Sequence, residues 1–310
     1  MLHHALPKSS LKISRIGLGT VQFGMDYGYT KKKTQKQVDE ILSYCLDHDI
    51  NFLDTARDYG DSEKKIGQFL KNIPRRNFII ATKISKINPE IQKNKKKVLE
   101  CILRSVETSI NELFLEKLDL LQLHQADRYI LSNDFFWDAI VHLKEKKIFN
   151  KFGISVYEGD LTKNILNRYH RYIDFIQIPY NIFDQRFSRM FPFFKDKNIS
   201  IISSSVFLKG IITASEETVP VELNRIKYFK RKLLNISMNA KLSVAELALL
   251  FVLSNRYINT TILGIGAIEE LEANMAALKK NDLFEKVKTE INMLRIDDPY
   301  LIDPRKWWQL

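Results

Sequence analysis

Eight short Val/Ile/Leu/Phe runs alternate along this chain with longer amphipathic segments, and each apolar run ends on a polar or small residue. Such alternation builds strand-helix units around a parallel sheet. Eight units in 310 residues is the count of a closed (β/α)8 barrel, whereas a doubly wound sheet uses fewer per domain. The predicted class is therefore α/β, a single-domain TIM-type barrel over residues 1–310, with an N-terminal cap to about residue 14 and a C-terminal tail from about residue 285.

The strands are expected at Arg15 to Gly19, Asn51 to Asp54, Phe78 to Lys83, Leu118 to His124, Lys151 to Ser155, Phe175 to Pro179, Ser200 to Ser205 and Thr261 to Ile265. Helices are expected at Thr34 to His48, opened by a Thr N-cap, and at Ser62 to Leu70, with Ser62 as cap. Further helices are expected at Lys93 to Phe114, Phe136 to Lys147, Leu161 to Tyr169, Glu222 to Met238, Ser243 to Ser254 and Ile268 to Leu278. No proline interrupts them.

Composition bounds the rest. With 45% hydrophobic residues the chain can bury a large core. It has no run of 18 apolar residues, and Met1 to Pro7 lacks the blocks of a secretory signal, so a cytoplasmic protein without membrane insertion is expected. Cys45 and Cys101 fall in helical patterns without metal-ligand spacing and read as packing residues; no metal site is expected, and His3, His4, His48, His142 and His170 form no ligand pattern. The net charge of +11 comes from 48 basic and 37 acidic residues. Its densest runs, Lys31 to Lys33 and Lys93 to Lys97, carry no interleaved aromatics, so a solvated basic surface is expected rather than a nucleic-acid site.

Barrel chemistry lies at the C-terminal strand ends. Those ends read Gly19-Thr20, Asp54, Lys83, His124, Ser155, Gln177, Ser204 and Gly264. Asp54, Tyr59, Lys83 and His124 together make a set suited to reducing a C=O group. Hydride attack leaves negative charge on oxygen, which a proton and fixed donors must meet. Tyr59 is the proton donor in this scheme, with the Lys83 ammonium lowering its pKa, Asp54 keeping Lys83 charged, and His124 orienting the carbonyl oxygen. Taken singly, a loop tyrosine, a strand-end lysine and a core histidine are ordinary structural residues; as an ordered four they point to chemistry.

On these residues the chain resembles the aldo-keto reductase superfamily over nearly its whole length. The matching segments are Ile16-Gly17-Leu18-Gly19-Thr20 with Phe23-Gly24, Asp54-Thr55-Ala56 with Tyr59-Gly60, Thr82-Lys83, Leu120 to His124, Gly153-Ile154-Ser155, Gln177 to Asn181, Phe207 to Gly210 and Leu271 to Asn274. The resemblance implies the same barrel and the tetrad Asp54, Tyr59, Lys83 and His124. It also implies a nicotinamide cofactor bordered by Gly19 and Thr20, with Ser155 and Gln177 at its carboxamide. Val156 stands where the family usually has Asn, which removes a hydrogen bond worth about 0.5–1.5 kcal/mol. Ser204 replaces the aromatic or Arg usual at the end of strand seven. The family's Lys/Arg clamp for a 2'-phosphate meets Gly264 to Glu270 here, whose acidic residues repel a phosphate dianion; Gly264 and Gly266 read either as plain turn residues or as backbone N–H donors to a phosphate before the helix at Ile268, and Asn274 matches an adenine contact. The resemblance favours NADP(H), with NAD(H) as the alternative.

Loops Gln125 to Phe135, Lys209 to Pro220 and Arg295 to Leu310 are expected over the mouth, with Tyr129, Trp137, Phe207, Trp307 and Trp308 as candidate pocket walls. Their aromatics fit a hydrophobic or sugar-face contact and equally a tail packed against the barrel; the segment Gly19 to Gly28 resembles reductases of sugar and small-ketone metabolism, which implies a small-molecule carbonyl substrate, sugar-type carbonyls included. The sequence leaves three readings: an NAD(P)H-dependent carbonyl reductase, a nucleotide-binding regulatory subunit, and a Schiff-base lyase using Lys83. Oligomeric state is left open.

Overall fold

A computed structural model describes residues 3–6, 11–28, 30–73, 78–124 and 126–307. Two strands, β1 (His3–Ala5) and β2 (Lys12–Ser14), pair antiparallel as a hairpin. Eight parallel strands follow: β3 (Ile16–Gly19), β4 (Phe52–Asp54), β5 (Ile79–Ile84), β6 (Leu118–Leu123), β7 (Phe149–Ser155), β8 (Phe175–Pro179), β9 (Ser200–Ser204) and β10 (Thr260–Gly264). They pair in chain order and β10 closes onto β3, so the predicted barrel is the observed one. The expected strand bounds hold to within one or two residues.

Strand alternation decides which residues face inward. Phe52, Ile79, Ala81, Leu120, Phe175, Ile202 and Ile262 form one buried cluster inside the barrel, and Leu6 and Ile13 of the hairpin region complete it at the floor. Their neighbours Leu53, Ile80, Leu121, Ile154, Ile176 and Leu263 point outward into the core shared with the helices. Burying each such side chain contributes about 1.5–3 kcal/mol. Continuing the inward parity places Gly19, Asp54, Lys83, His124, Ser155, Gln177, Ser204 and Gly264 at one end of the barrel interior. Two inward glycines make room for interior rings: a Cβ on Gly17 would lie 2.4 Å from Phe52, and one on Gly153 2.4 Å from Phe175.

The outer helices include Gln35–Asp47, Ser62–Leu70, Lys95–Leu113, Asp134–Glu145, Gly159–Tyr169, Asn224–Ala240, Val244–Leu253 and Ile268–Ala277. Thr34 caps the first through a reciprocal capping box with Gln37, as the sequence predicts. Ser62 is not a cap. It is the first helical residue after Asp61, and its hydroxyl donates to Thr20 O at 2.9 Å and meets Thr55 Oγ1 at 3.1 Å, tying three loops together. The hairpin and the helix Phe191–Asp196 are elements the sequence pattern did not announce. No single helix among the described residues is long and apolar enough to cross a membrane.

The loop that carries Tyr59 is pressed against the turn after β3. A Cβ on Gly24 would lie 1.6 Å from Tyr59 O, and Gly60, at φ +57°, packs on Gly24 O. Gly24→Ala is therefore expected to displace this loop and destabilise the protein by about 1–3 kcal/mol in chemical denaturation. An unchanged midpoint would show that the loop yields freely.

Candidate active site

Asp54 ends β4 with both carboxylate oxygens engaged. Oδ2 accepts from Lys83 Nζ at 2.6 Å and Oδ1 from Gln122 Nε2 at 2.9 Å, while Thr20 N–H and hydroxyl both donate to Asp54 O at 3.0 Å. Lys83 also donates to Thr55 O at 2.8 Å, and its side chain is 1% exposed. A buried ammonium is tolerated when a carboxylate and a carbonyl both receive it. Gln122 was not singled out from the sequence; it looks like an ordinary polar residue in an apolar strand.

Tyr59 stands beside this pair, with Lys83 Nζ 4.8 Å from its ring centroid. Desolvation pushes the phenol, half-buried at the cavity wall, well above the ordinary tyrosine range, and the carboxylates of Asp54 and Asp58 add to the effect. The expectation that Lys83 lowers this pKa is thus corrected: desolvation of the phenolate outweighs an ammonium already neutralised by Asp54. His124 follows β6 and meets the Tyr59 ring edge-on at 5.6 Å between centroids. Its Nδ1 lies 3.0 Å from Asp58 Oδ2, a partner sequence reading passed over because the two residues are brought together only by neighbouring loops. Arg57 braces the Tyr59 loop from behind, bridging Glu63 and Glu112, and Thr82 donates to Glu63 at 2.5 Å.

All twelve candidate residues line one cavity of about 700 Å³: Asp54, Tyr59, Lys83, His124, Gly19, Thr20, Ser155, Gln177, Ser204, Gly264, Gly266 and Asn274. Ser155 and Gln177 are register neighbours on β7 and β8. Val156 is buried in the apolar core and is not among the lining residues, so no side chain replaces the missing Asn at that position. Ser204 donates to Ile178 O at 3.3 Å and presents no stacking face. Gly266 N–H does not wait for a phosphate. It donates to Glu270 Oε2 at 2.8 Å, so an acidic side chain takes up one of the two amides expected to be free.

The mouth differs from expectation in its walls. Phe207 lines the cavity, as do Lys209, Gly210, Thr213, Ala214, Ser215 and Thr218 of the predicted loop. Ser205, Leu208 and Lys209 all take positive φ, which costs energy for non-glycine residues and lets the chain double back over the opening. The buried Lys230 ammonium fixes that loop by donating to Ile211 O, Ile212 O and Ala214 O at 2.6–2.9 Å. Trp137 is not a wall: it is 3% exposed and stacks on Tyr169 in the outer core. Tyr129 is 79% exposed, and none of residues 126–135 lines the cavity. Trp307 donates to Tyr300 O and packs on the core, and Trp308 lies outside the described residues. Instead Tyr27 and Tyr157 supply aromatic walls. The tail reaches the cavity indirectly, since Arg305 lies 3.9 Å over the Tyr157 ring and is held by the buried Asp303, which also pairs with Arg186. Among the described residues no group of three or more His, Cys, Asp or Glu side chains could hold a metal ion.

A parallel eight-stranded barrel with an acid, a buried lysine, a tyrosine and a histidine gathered at its C-terminal mouth defines a class of oxidoreductases. A model of the Aldo/keto reductase family matches residues 15–295, and the chain belongs to that family. It is 25% identical over 287 residues to L-galactose dehydrogenase of Arabidopsis thaliana, covering 88% of this chain and 87% of that one. It is 23% identical over 310 residues to the NADH-specific methylglyoxal reductase of Escherichia coli, covering 89% and 93%. Among solved structures, the holo form of aldo-keto reductase AKR11C1 from Bacillus halodurans superposes with a TM-score of 0.75 at 25% identity, covering 99% of both chains. The protein is an oxidoreductase of this family.

Proposed function

We propose that the protein reduces an aldehyde or ketone, sugar-type carbonyls included, to the alcohol with a nicotinamide nucleotide, and that Tyr59 donates the proton. The observation that carries this reading is the buried Lys83–Asp54 pair set against Tyr59, with His124 at its edge, all four lining the same cavity. Hydride attack makes an alkoxide, which is more basic than any phenolate. A phenol held neutral by desolvation is then a donor that stays loaded across the working pH range, and Lys83 beside the ring stabilises the phenolate left behind. The Schiff-base reading requires a neutral amine, whereas Lys83 donates to a carboxylate and a carbonyl at 2.6 and 2.8 Å.

The polar lining fits a nicotinamide nucleotide. Ser155 and Gln177 offer side-chain donors and acceptors from adjacent strands, and the buried Gln22 Oε1 at the cavity wall has no hydrogen-bond partner among the described residues. When bound, the nucleotide supplies the hydride; the protein's part is to bind, orient and protonate. Family resemblance favours NADP(H), but Glu270 stands in the segment that would meet a 2'-phosphate, and we assign the preference to NADH on that charge. Glu270→Gln should raise NADPH affinity relative to NADH by about 2- to 5-fold, the scale of one exposed charge, in parallel fluorescence titrations. No change in the ratio removes Glu270 from nucleotide choice. Oxidation of NADH or NADPH followed at 340 nm against a panel of aldehydes, ketones and ketosugars tests the activity itself. Nucleotide binding without oxidation by any of them would favour a regulatory subunit.

A further inference from the structure

We propose that the substrate is a carbonyl compound carrying an anionic group, a carboxylate or a phosphate, and that the Lys209 ammonium receives that group. The inference names the substrate class of the site above and rests on the reductase reading. Two lysines line the cavity among the described residues, Lys83 and Lys209. Lys83 is committed to Asp54 and to Thr55 O at 2.6 and 2.8 Å. Lys209 is half-buried at the mouth, with its ammonium 5.2 Å from the Tyr27 ring centroid. Tyr27 in turn lies within electrostatic range of Tyr157 and Tyr59. A group held at Lys209 thus shares one end of the cavity with a carbonyl that reacts at Tyr59.

The backbone holds this lysine where glycine would cost less. Lys209 takes φ +54°, a left-handed conformation that strains any residue with a side chain. Its carbonyl oxygen faces Gly28, where an added Cβ would lie 3.4 Å away, so the Tyr27 and Lys209 loops are packed together. Lys230 fixes the residues that follow through Ile211 O, Ile212 O and Ala214 O. The charge at this end suits an anion. Asp303 lies within electrostatic range of Lys209 and is paired with Arg305 and Arg186, and Asp184 is paired with Arg186 as well. Lys209, Arg305 and Arg186 thus set three cations against two carboxylates, and the cluster is positive. The other acids nearby are engaged: Asp54 with Lys83, Asp26 with Lys31, and Asp58 at the His124 ring. Partial desolvation holds the Lys209 ammonium below the ordinary lysine range, and an anion brought beside it offsets that loss. The net charge of +11 adds a field that draws anions toward the opening. Tyr27 and Tyr157 supply apolar faces for the uncharged part of the substrate.

Matched substrates test this. Succinic semialdehyde is compared with its methyl ester, and glycolaldehyde phosphate with glycolaldehyde, as kcat/KM for reduction in the wild type, Lys209→Gln and Lys209→Arg. The anionic-to-neutral ratio within each protein cancels any loss of turnover common to both substrates. The wild type should favour the anionic member of at least one pair by about 10-fold or more, chiefly through KM. Lys209→Gln should abolish most of that preference and Lys209→Arg, which keeps the charge, should retain most of it. The pair that responds distinguishes a carboxylate from a phosphate. A ratio equal in the wild type and Lys209→Gln, or a wild type that prefers the neutral members, overturns the proposal. Titration with NADH and NADPH separates the nucleotide's own phosphates: weaker nucleotide binding in Lys209→Gln with an unaltered substrate ratio assigns Lys209 to the nucleotide and also overturns it. A wild type that reduces no carbonyl with either nucleotide defeats the reductase reading, and calorimetric titration of succinate and inorganic phosphate into the protein loaded with oxidised nucleotide then decides the anion site. Binding that weakens about 10-fold or more in Lys209→Gln sustains the site, and no binding, or equal binding in both proteins, overturns it.

Discussion

Tyr59→Phe lowers kcat for carbonyl reduction by about 10²- to 10⁴-fold, the usual contribution of a positioned general acid. The substitution deletes the hydroxyl and keeps the ring, so the edge contact with His124 and the packing over Lys83 survive. Loss of kcat with nucleotide affinity held within about 2-fold is the mark of a group that acts in the transition state. Titration of the variant with reduced nucleotide separates these quantities. Retention of more than about a tenth of the wild-type rate would remove Tyr59 as the proton donor.

Lys83→Met combines two losses. The Asp54 carboxylate, 5% exposed, keeps Gln122 but loses its counter-ion, and an unpaired buried charge costs about 3–5 kcal/mol of stability. The phenolate formed at Tyr59 also loses the adjacent cation, so turnover should fall by about 10²-fold or more, with residual activity displaced to higher pH. Adding Asp54→Asn distinguishes the two effects. The double variant removes the stranded charge and should regain much of the stability, measured by denaturant midpoint, while its rate stays low. Recovery of rate together with stability would mean that Lys83 serves the fold alone.

The barrel was legible because its signal is local. A run such as Ile79 to Lys83 carries its own strand propensity, and a parity of two then assigns each side chain to the inside or the outside. Asp54, Lys83 and His124 are legible at one mouth because each stands where such a run ends. Side-chain contacts between elements far apart in sequence were not legible. Asp58 meets His124, and Gln122 meets Asp54, across separations of 66 and 68 residues that only barrel closure brings together. Trp137 was misplaced for a related reason: a helix facing the strands buries Phe136, Trp137 and Ile140 together, and an aromatic near a loop has no local mark of which side it takes. The segment from Ser205 to Gly210 turns over the cavity through positive φ at non-glycine residues, where residue type gives no warning. Gly266 shows the limit of motif reading. Two glycines before a helix resemble an anion site and the acidic residues beside them argue against one; the sequence does not show that Glu270 accepts from the Gly266 amide.

The most direct test of the account is label transfer. Reduced nucleotide deuterated at the reactive C4 position is turned over with a carbonyl from the panel, and the product alcohol is analysed by mass spectrometry and NMR. The account predicts one deuterium on the carbinol carbon in the wild type, and near-absence of product in Tyr59→Phe. Alcohol formed without deuterium at that carbon would contradict it, because the hydride would then have come from elsewhere than the nucleotide assigned to the cavity lined by Asp54, Tyr59, Lys83 and His124.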